Sequence, residues 1–219
     1  NESRIRFRNA RVWRPVLLMP SDEALCASDE ALDSIKKVLL DLDSGGVASV
    51  IRFIDSDAKE PSSCTSIYAR FISGDICLFL EAVEAKDWER SLHQVEMLVG
   101  FGPGLTPSCD DFLAAFLLSL YYRNQWNHRD DHILLSFLQD VVDLAKLRTT
   151  IVSYSMLRHA SKGKASDSYL KVLEALITHN LPDLHRAIDR VLEFGATSGA
   201  DFLFGMWCVQ TIISRWAQR

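Results

Sequence analysis

The residues best suited to chemistry lie in one glycine-rich segment near the middle of the chain. It reads Gly-Phe-Gly-Pro-Gly-Leu-Thr-Pro-Ser-Cys-Asp-Asp over residues 100–111. Its glycines permit left-handed backbone and close approach of another group, whereas its two prolines restrict the chain and remove amide donors. Residues 112–122 are apolar except for Ser119, which predicts a helix buried on all sides. The segment therefore brings amides, hydroxyls and carboxylates to the start of a buried helix.

Two residues of this segment could cap that helix. Thr106 as N-cap would place Pro107 at the first helical position, where proline is favoured. Ser108 as N-cap would place Asp111 at the third position, a variant of the capping box, and would leave Thr106 facing the concave side of the loop. We prefer Ser108. Either choice leaves unpaired amides at the positive end of a helix dipole, which favours an anion site. A well-capped helix start without any ligand is the open alternative.

A second segment repeats the pattern near the C-terminus. Residues 195–201 read Gly-Ala-Thr-Ser-Gly-Ala-Asp and precede Phe-Leu, so that aligning Ser108 with Ser198 also aligns Asp111 with Asp201. We expect two core helices whose N-termini face a shared cleft. Small residues would let their backbones pack closely, at Ala114, Ala115 and Gly205.

These two segments, together with Ser-Tyr-Ser-Met-Leu-Arg at residues 153–158, resemble the AllH family over roughly residues 95–215. The resemblance implies a subunit of a multi-subunit oxamate carbamoyltransferase of bacterial purine (allantoin) catabolism. That enzyme interconverts oxalurate plus phosphate with oxamate plus carbamoyl phosphate. Cys109 occupies a position that is often glycine in relatives, so we assign its thiol no role.

The resemblance gives the candidate residues their roles. We expect the loop to hold phosphate or carbamoyl phosphate, and Arg158 to bind the carboxylate of oxamate or oxalurate through its planar fork. The catalytic candidates are Asp110, as the base, and Arg158. The candidates for binding the anion are Gly102, Gly104, Leu105, Thr106, Ser108, Asp111, Ser155, Thr197, Ser198, Gly199 and Asp201.

Two other functions remain open. One is a non-catalytic subunit that binds a small anion and completes a partner's site. The other is a metal-dependent hydrolase that uses Asp110 and Asp201, because carboxylate oxygens suit Mg²⁺. We expect no cofactor and no metal ligand, with Mg²⁺ as the alternative. The sequence contains no nucleophile elbow, no phosphate-binding P-loop and no dinucleotide fingerprint.

Composition excludes several broad classes. The net charge of −5 over 219 residues argues against a general nucleic-acid binder. The five cysteines are widely spaced and form no C-x-x-C pair, so they fit free thiols in a reducing compartment. The longest apolar stretches fall short of the roughly 20 residues that a membrane span needs. We expect a cytoplasmic protein that binds neither nucleic acid nor membrane, with a small anionic substrate and partner subunits.

The pattern predicts an α+β fold in two parts. Residues 1–85 are expected to form a small β-rich layer with one helix after Ser28, and its start is expected to be missing because the chain begins at Asn1. Residues 86–219 are expected to form a bundle of about seven helices with two buried at its centre. The predicted strands are β-branched and aromatic, and lie within residues 1–20, 47–54, 66–71 and 76–80, the last two joined as a hairpin.

Overall fold

A computed structural model describes residue 17 and residues 26–57, 59–126 and 131–218 of the chain. These residues form ten α-helices and one 3-10 turn, Pro61–Ser63, and contain no strand. The helices are α1 (Asp29–Asp41), α2 (Val50–Asp55), α3 (Ile67–Glu84), α4 (Trp88–Leu98), α5 (Ser108–Trp126), α6 (His132–Arg148), α7 (Ile151–Ala160), α8 (Asp167–Ile177), α9 (Leu181–Leu192) and α10 (Ser198–Gln218).

The expected α+β fold with a β-rich layer is wrong, since the described part of the chain is helical throughout. The clearest error is the hairpin, because residues 67–80 of its two strands and turn lie within α3 and Ser66 is the N-cap of that helix. Ser66 caps this helix by accepting a hydrogen bond from the amide of Tyr68 at 3.2 Å. Its buried residues recur every three or four positions, at Ala69, Ile72, Ser73, Ile76, Phe79, Ala82 and Val83. That helical period outweighs the β-branched composition on which the strand prediction relied.

The predicted strand over residues 47–54 is also wrong. Residues 45–49 form turns and bends that lead directly into α2. A short apolar run cannot be assigned to strand or helix by its period alone. The amides of Val47 and Ala48 donate to a side chain instead of to a neighbouring strand. The strand predicted within residues 1–20 lies, apart from Leu17, outside the described residues.

The helical predictions fare better. Ser28 caps α1, because its hydroxyl accepts from the amide of Ala31 at 3.3 Å. The bundle of about seven helices predicted after residue 86 is confirmed by α4 to α10 within the described residues. Helix α1 ends at Asp41.

Helices α5 and α10 form the centre of the molecule, as predicted. Every residue of α5 from Ser108 to Leu120 is buried. Gly205 lets α10 approach α5 closely, since a Cβ at that position would lie 2.4 Å from the carbonyl oxygen of Phe112 and 3.0 Å from the Cβ of Ala115. Aromatic rings of three helices fill the surrounding core, at Phe79, Phe112, Phe116 and Phe204.

No helix in the described part of the chain combines the length and the apolar character that crossing a bilayer requires.

Replacement of Gly74 by alanine tests the corrected fold. Gly74 lies on the exposed face of α3, and a Cβ there would meet nothing within 4 Å. Gly74→Ala should therefore raise the free energy of unfolding by about 0.5–1 kcal/mol, because alanine loses less backbone entropy in a helix. Urea unfolding of the full chain measures this change. Gly205→Ala serves as the contrast and should lower stability by about 1–3 kcal/mol through overpacking. A loss of stability in Gly74→Ala would favour the hairpin turn instead.

Candidate functional site

The two serine-led helix starts meet in the folded protein. The hydroxyl oxygen of Thr106, just before α5, lies 3.0 Å from the hydroxyl oxygen of Ser198, the first residue of α10. These two residues are 92 positions apart in the sequence. Both are partly exposed, whereas the acids that follow them are buried. We refer to the two side chains as the hydroxyl pair, and their contact confirms that the two helix starts lie together.

The helix starts are built differently from the predicted capping box. The carbonyl of Pro107 accepts from the amides of Asp110 and Asp111, at 2.8 and 3.3 Å. The hydroxyl of Ser108 is buried and accepts no hydrogen bond from an amide of α5, so the prediction that Ser108 caps α5 is wrong. The side chain of Thr106 faces Ser198 at the start of the other central helix.

The loop before α5 needs its glycines. We call residues 100–107 the signature loop. Gly102 and Gly104 have φ of 116° and 95°, a region that favours glycine. A Cβ on Gly102 would also lie 2.6 Å from the amide nitrogen of Ser108. The tip of the loop is exposed, with Leu105 at 75%. The carbonyl of Leu105 accepts from the hydroxyl of Thr150 at 2.6 Å, which ties the loop to the start of α7.

Asp110 holds the base of the signature loop. It is fully buried, and one carboxylate oxygen accepts from the amide of Gly100 at 2.8 Å while the other accepts from the hydroxyl of Thr149. Burial raises the pKa of this carboxyl above its ordinary value, and these two hydrogen bonds partly offset the rise. Asp110 therefore fastens the loop to the corner between α6 and α7.

Asp201 holds the segment before α2. Its Oδ1 accepts from the amides of Val47 and Ala48 at 2.7 and 2.8 Å. Its Oδ2 has no hydrogen-bond partner and lies where a Cβ on Gly46 would be 2.2 Å away. Burial raises the pKa of Asp201 to about 6, although the nearby Ser108 hydroxyl and these amides lower it in part. Asp201 therefore joins the start of α10 to a segment more than 150 residues earlier.

Asp111 is the acid beside the hydroxyl pair. It is 1% exposed, and its Oδ2 has no hydrogen-bond partner. Burial, together with the negative charge of Asp201, raises its pKa to about 8, although the hydroxyls of Ser198 and Thr106 lower it in part. Asp111 is therefore protonated at neutral pH. The site combines two helix N-termini, two hydroxyls and a neutral acid, which suits a small anion.

The other predicted site residues are Thr197 and Gly199, at the start of α10, and Ser155 and Arg158, on α7. The carbonyl of Thr197 accepts from the amide of Asp201 at 2.9 Å. Gly199 packs against the end of α9, since a Cβ there would be 1.9 Å from the carbonyl oxygen of Val191. Ser155 and Arg158 lie on the exposed side of α7, one to two turns beyond its start. Their roles stay predictions.

The sequence did not reveal the residues that hold Asp110 and Asp201 in place. The amides of Val47, Ala48 and Gly100 and the hydroxyl of Thr149 were all missed. A backbone amide carries no side-chain signal, and these partners are distant in sequence or lie across a helix corner. The one signal in the sequence for these contacts is the Gly45-Gly46 pair. Its second glycine is needed because Asp201 approaches it closely.

The comparison with protein families matches residues 98–210, more than half of the chain. The matching family is described as oxamate carbamoyltransferase subunit AllH. The chain belongs to the AllH family. The match spans both the signature loop and the start of α10, and the description as a subunit implies partner subunits. No solved structure matches the chain significantly.

The geometry does not favour a metal site in this AllH member. Among the described residues, no three His, Cys, Asp or Glu side chains are placed to share a metal ion. Asp110 and Asp201 instead accept hydrogen bonds from backbone amides. The metal-dependent hydrolase therefore has no geometric support in the described part of the chain.

Asp111→Asn should reduce the loss of stability at high pH. The folded protein keeps the Asp111 proton up to a pH of about 8, whereas the unfolded chain loses it near pH 4. The folded state thus holds the extra proton between these values, so the free energy of unfolding falls as pH rises through them. Between pH 6 and 8.5 the Asp111 contribution should be on the order of 2 kcal/mol. Urea unfolding at both pH values measures it.

Asp33→Asn, which changes an exposed carboxyl on α1, is the matched control and should keep the wild-type pH dependence. An Asp111→Asn protein that loses as much stability as wild type between pH 6 and 8.5 would contradict the protonated state of Asp111.

Proposed function

We propose that this chain is a subunit of a carbamoyltransferase that interconverts oxalurate plus phosphate with oxamate plus carbamoyl phosphate, in purine (allantoin) catabolism. The observation that carries the proposal is the hydroxyl pair above Asp111, at the N-termini of two central helices. The family description supports the reaction class. In this proposal the hydroxyl pair binds the phosphate group of the substrate.

The electrostatics of the site support an anionic ligand. Each helix N-terminus carries about half a positive elementary charge, and two such ends side by side favour a negative group between them. The hydroxyls of Thr106 and Ser198 can both donate to phosphate oxygens. Asp111 would repel a phosphate if it were ionised, but its pKa of about 8 keeps it neutral at pH 7. The acid beside the hydroxyl pair is thus neutral, and the nearby negative charge belongs to Asp201, whose Oδ1 accepts hydrogen bonds from two backbone amides.

Carbamoyl transfer needs positioning and stabilisation of charge more than it needs a nucleophilic side chain. A phosphate oxygen attacks the carbamoyl carbon of oxalurate, the bond from that carbon to nitrogen breaks, and the nitrogen of oxamate takes up a proton. Fixed donors lower the barrier by holding the phosphate in line and by stabilising the negative oxygen that develops. Asp111 is the group in this cluster that holds a proton at neutral pH.

The two predicted catalytic residues, Asp110 and Arg158, differ in their exposure to solvent. Both oxygens of Asp110 accept hydrogen bonds and the side chain is fully buried, so its use as a base requires that the substrate reach it inside the protein. Arg158 is exposed on α7 and remains the candidate for the substrate carboxylate. The tie between Thr150 and Leu105 makes α7 a neighbour of the signature loop.

An exposed apolar surface beside the signature loop supports docking of a partner subunit. Phe101 contacts the rings of Tyr68 and Phe71, with centroids 6.2 and 5.7 Å apart. Phe71 is 77% exposed, and Leu105 is 75% exposed. Large exposed apolar patches commonly mark protein interfaces. We define the loop-side apolar surface as Ile67, Tyr68, Phe71, Phe101, Leu105 and Ile151.

The second candidate is a subunit that binds the anion and leaves the chemistry to a partner. The burial of Asp111 and the engagement of both oxygens of Asp110 favour it, because neither acid reaches solvent in this state. Both candidates use the same hydroxyl pair. They differ in whether an acid of this chain takes part in proton transfer.

Removal of either hydroxyl should slow the reaction. Thr106→Ala and Ser198→Ala should each lower kcat/KM about tenfold to a hundredfold, because each removes a hydrogen bond to a charged group. The measurement is carbamoyl phosphate formation from oxalurate and phosphate by the enzyme reconstituted with its partner subunits. Ser136→Ala, which removes an exposed hydroxyl from α6, is the matched control. Wild-type rates in both site variants would rule out this site.

Asp111→Asn in the same assay separates the two candidates. An amide keeps the shape of the side chain but cannot supply a proton. Loss of turnover with unchanged phosphate affinity, measured by calorimetry, would support proton transfer by this chain. Unchanged turnover would support the subunit that only binds the anion.

Phe71→Asp should weaken assembly with the partner subunits at least tenfold, because a charge would enter an apolar interface. The stability of the isolated chain should change little, since Phe71 is exposed. Co-purification and sedimentation of the reconstituted enzyme measure the effect. Ile133→Asp is the matched control. Ile133 is 68% exposed but lies in the first turn of α6, at the opposite end of that helix from the signature loop. Equal effects of the two variants would contradict docking at the loop-side apolar surface.

A further inference from the structure

A cavity of about 300 Å³ opens beside the two central helices and takes no part in the function proposed above. Its walls come from α5, α7, α8 and α10 and from the turn between α7 and α8. Ala114 follows Asp111 by about one turn of α5, and Phe202 follows Ser198 by about one turn of α10. The cavity therefore neighbours the hydroxyl pair. Its volume is at the lower end of the range for small-molecule pockets.

The interior of the cavity is almost entirely apolar. The rings of Tyr169 and Phe202 stack with centroids 3.6 Å apart, and Phe194 packs against Tyr169 at 5.9 Å. Met156 completes the apolar wall from α7. The walls are rigid, because Tyr169 is 8% exposed and Phe202 is fully buried. Aromatic walls of this kind suit a flat apolar body.

Basic side chains stand at the mouth. His159 and Lys164 both line the cavity and are exposed, and no lining residue among those described is acidic. The Nδ1 of His159 lies 2.6 Å from the carbonyl oxygen of Ser155, which fixes the ring. The amide of Lys164 donates to the carbonyl of His159 at 2.9 Å, so the two side chains start from one turn. The charge at the mouth complements an anionic head group.

We propose that this cavity binds a small aromatic carboxylate, with its ring against Tyr169, Phe194 and Met156 and its carboxylate at Lys164. Oxamate, oxalurate and phosphate have no apolar body. The occupant is therefore a second ligand, and the proposal stands whether or not the hydroxyl pair binds phosphate.

Benzoate is the probe, and calorimetry on the full chain measures its affinity. We expect saturable binding with one site per chain. Lys164→Gln should weaken binding about fivefold, the loss of one exposed charge contact. Ala165→Leu, at the partly exposed rim, should weaken it at least tenfold by filling the cavity. Lys162→Gln, on the same turn but outside the cavity, is the matched control and should bind as wild type does.

Four outcomes would overturn the proposal. The first is no saturable binding of benzoate by the wild-type chain, and the second is wild-type affinity in both Lys164→Gln and Ala165→Leu. The third is equal affinity for benzyl alcohol, which has the ring without the charge. Displacement of benzoate by inorganic phosphate would place the carboxylate at the hydroxyl pair and would likewise contradict a separate site. Melting curves of each variant confirm that it is folded.

Discussion

The close approach of α5 and α10 is the constraint on which the rest of the structure depends. Gly205 leaves no room for a side chain between the two backbones, and the carbonyl of Phe112 lies where its Cβ would be. This contact brings the starts of both helices to one place, where Thr106 meets Ser198. Two positive helix ends then lie side by side, an arrangement that favours negative or hydrogen-bond-accepting groups between them. The acids of both helix starts supply such groups.

Burying three carboxyls at one point is costly unless each finds partners. Asp201 accepts two backbone amides, and Asp110 accepts an amide and a hydroxyl, so both also fasten distant segments to the helix starts. Asp111 has the least compensation, and its raised pKa makes it neutral rather than charged. A buried polar group without a full set of hydrogen bonds destabilises the fold, and such groups are typical of functional sites. The unpartnered Oδ2 of Asp111 therefore points to the same region as the hydroxyl pair.

Sequence reasoning succeeded where the signal was periodic or repeated. The all-round apolar run of α5 predicted its burial, and the Ser-x-x-Asp repeat predicted that the two helix starts converge. It failed in α3, where β-branched and aromatic residues suggested strands although the buried positions follow a helical period. It also missed the partners of Asp201, because the amides of Val47 and Ala48 leave no trace in side-chain identity. Contacts across 150 residues depend on tertiary packing, which no local pattern encodes.

The central claim is tested most directly by a structure of the chain determined from crystals grown in the presence of phosphate. The account predicts a tetrahedral anion within hydrogen-bonding distance of both Thr106 Oγ1 and Ser198 Oγ, with Asp111 beneath it. Two results would contradict this account. In the first, the two hydroxyls lie too far apart to contact one phosphate. In the second, packed side chains cover the hydroxyl pair and phosphate binds elsewhere.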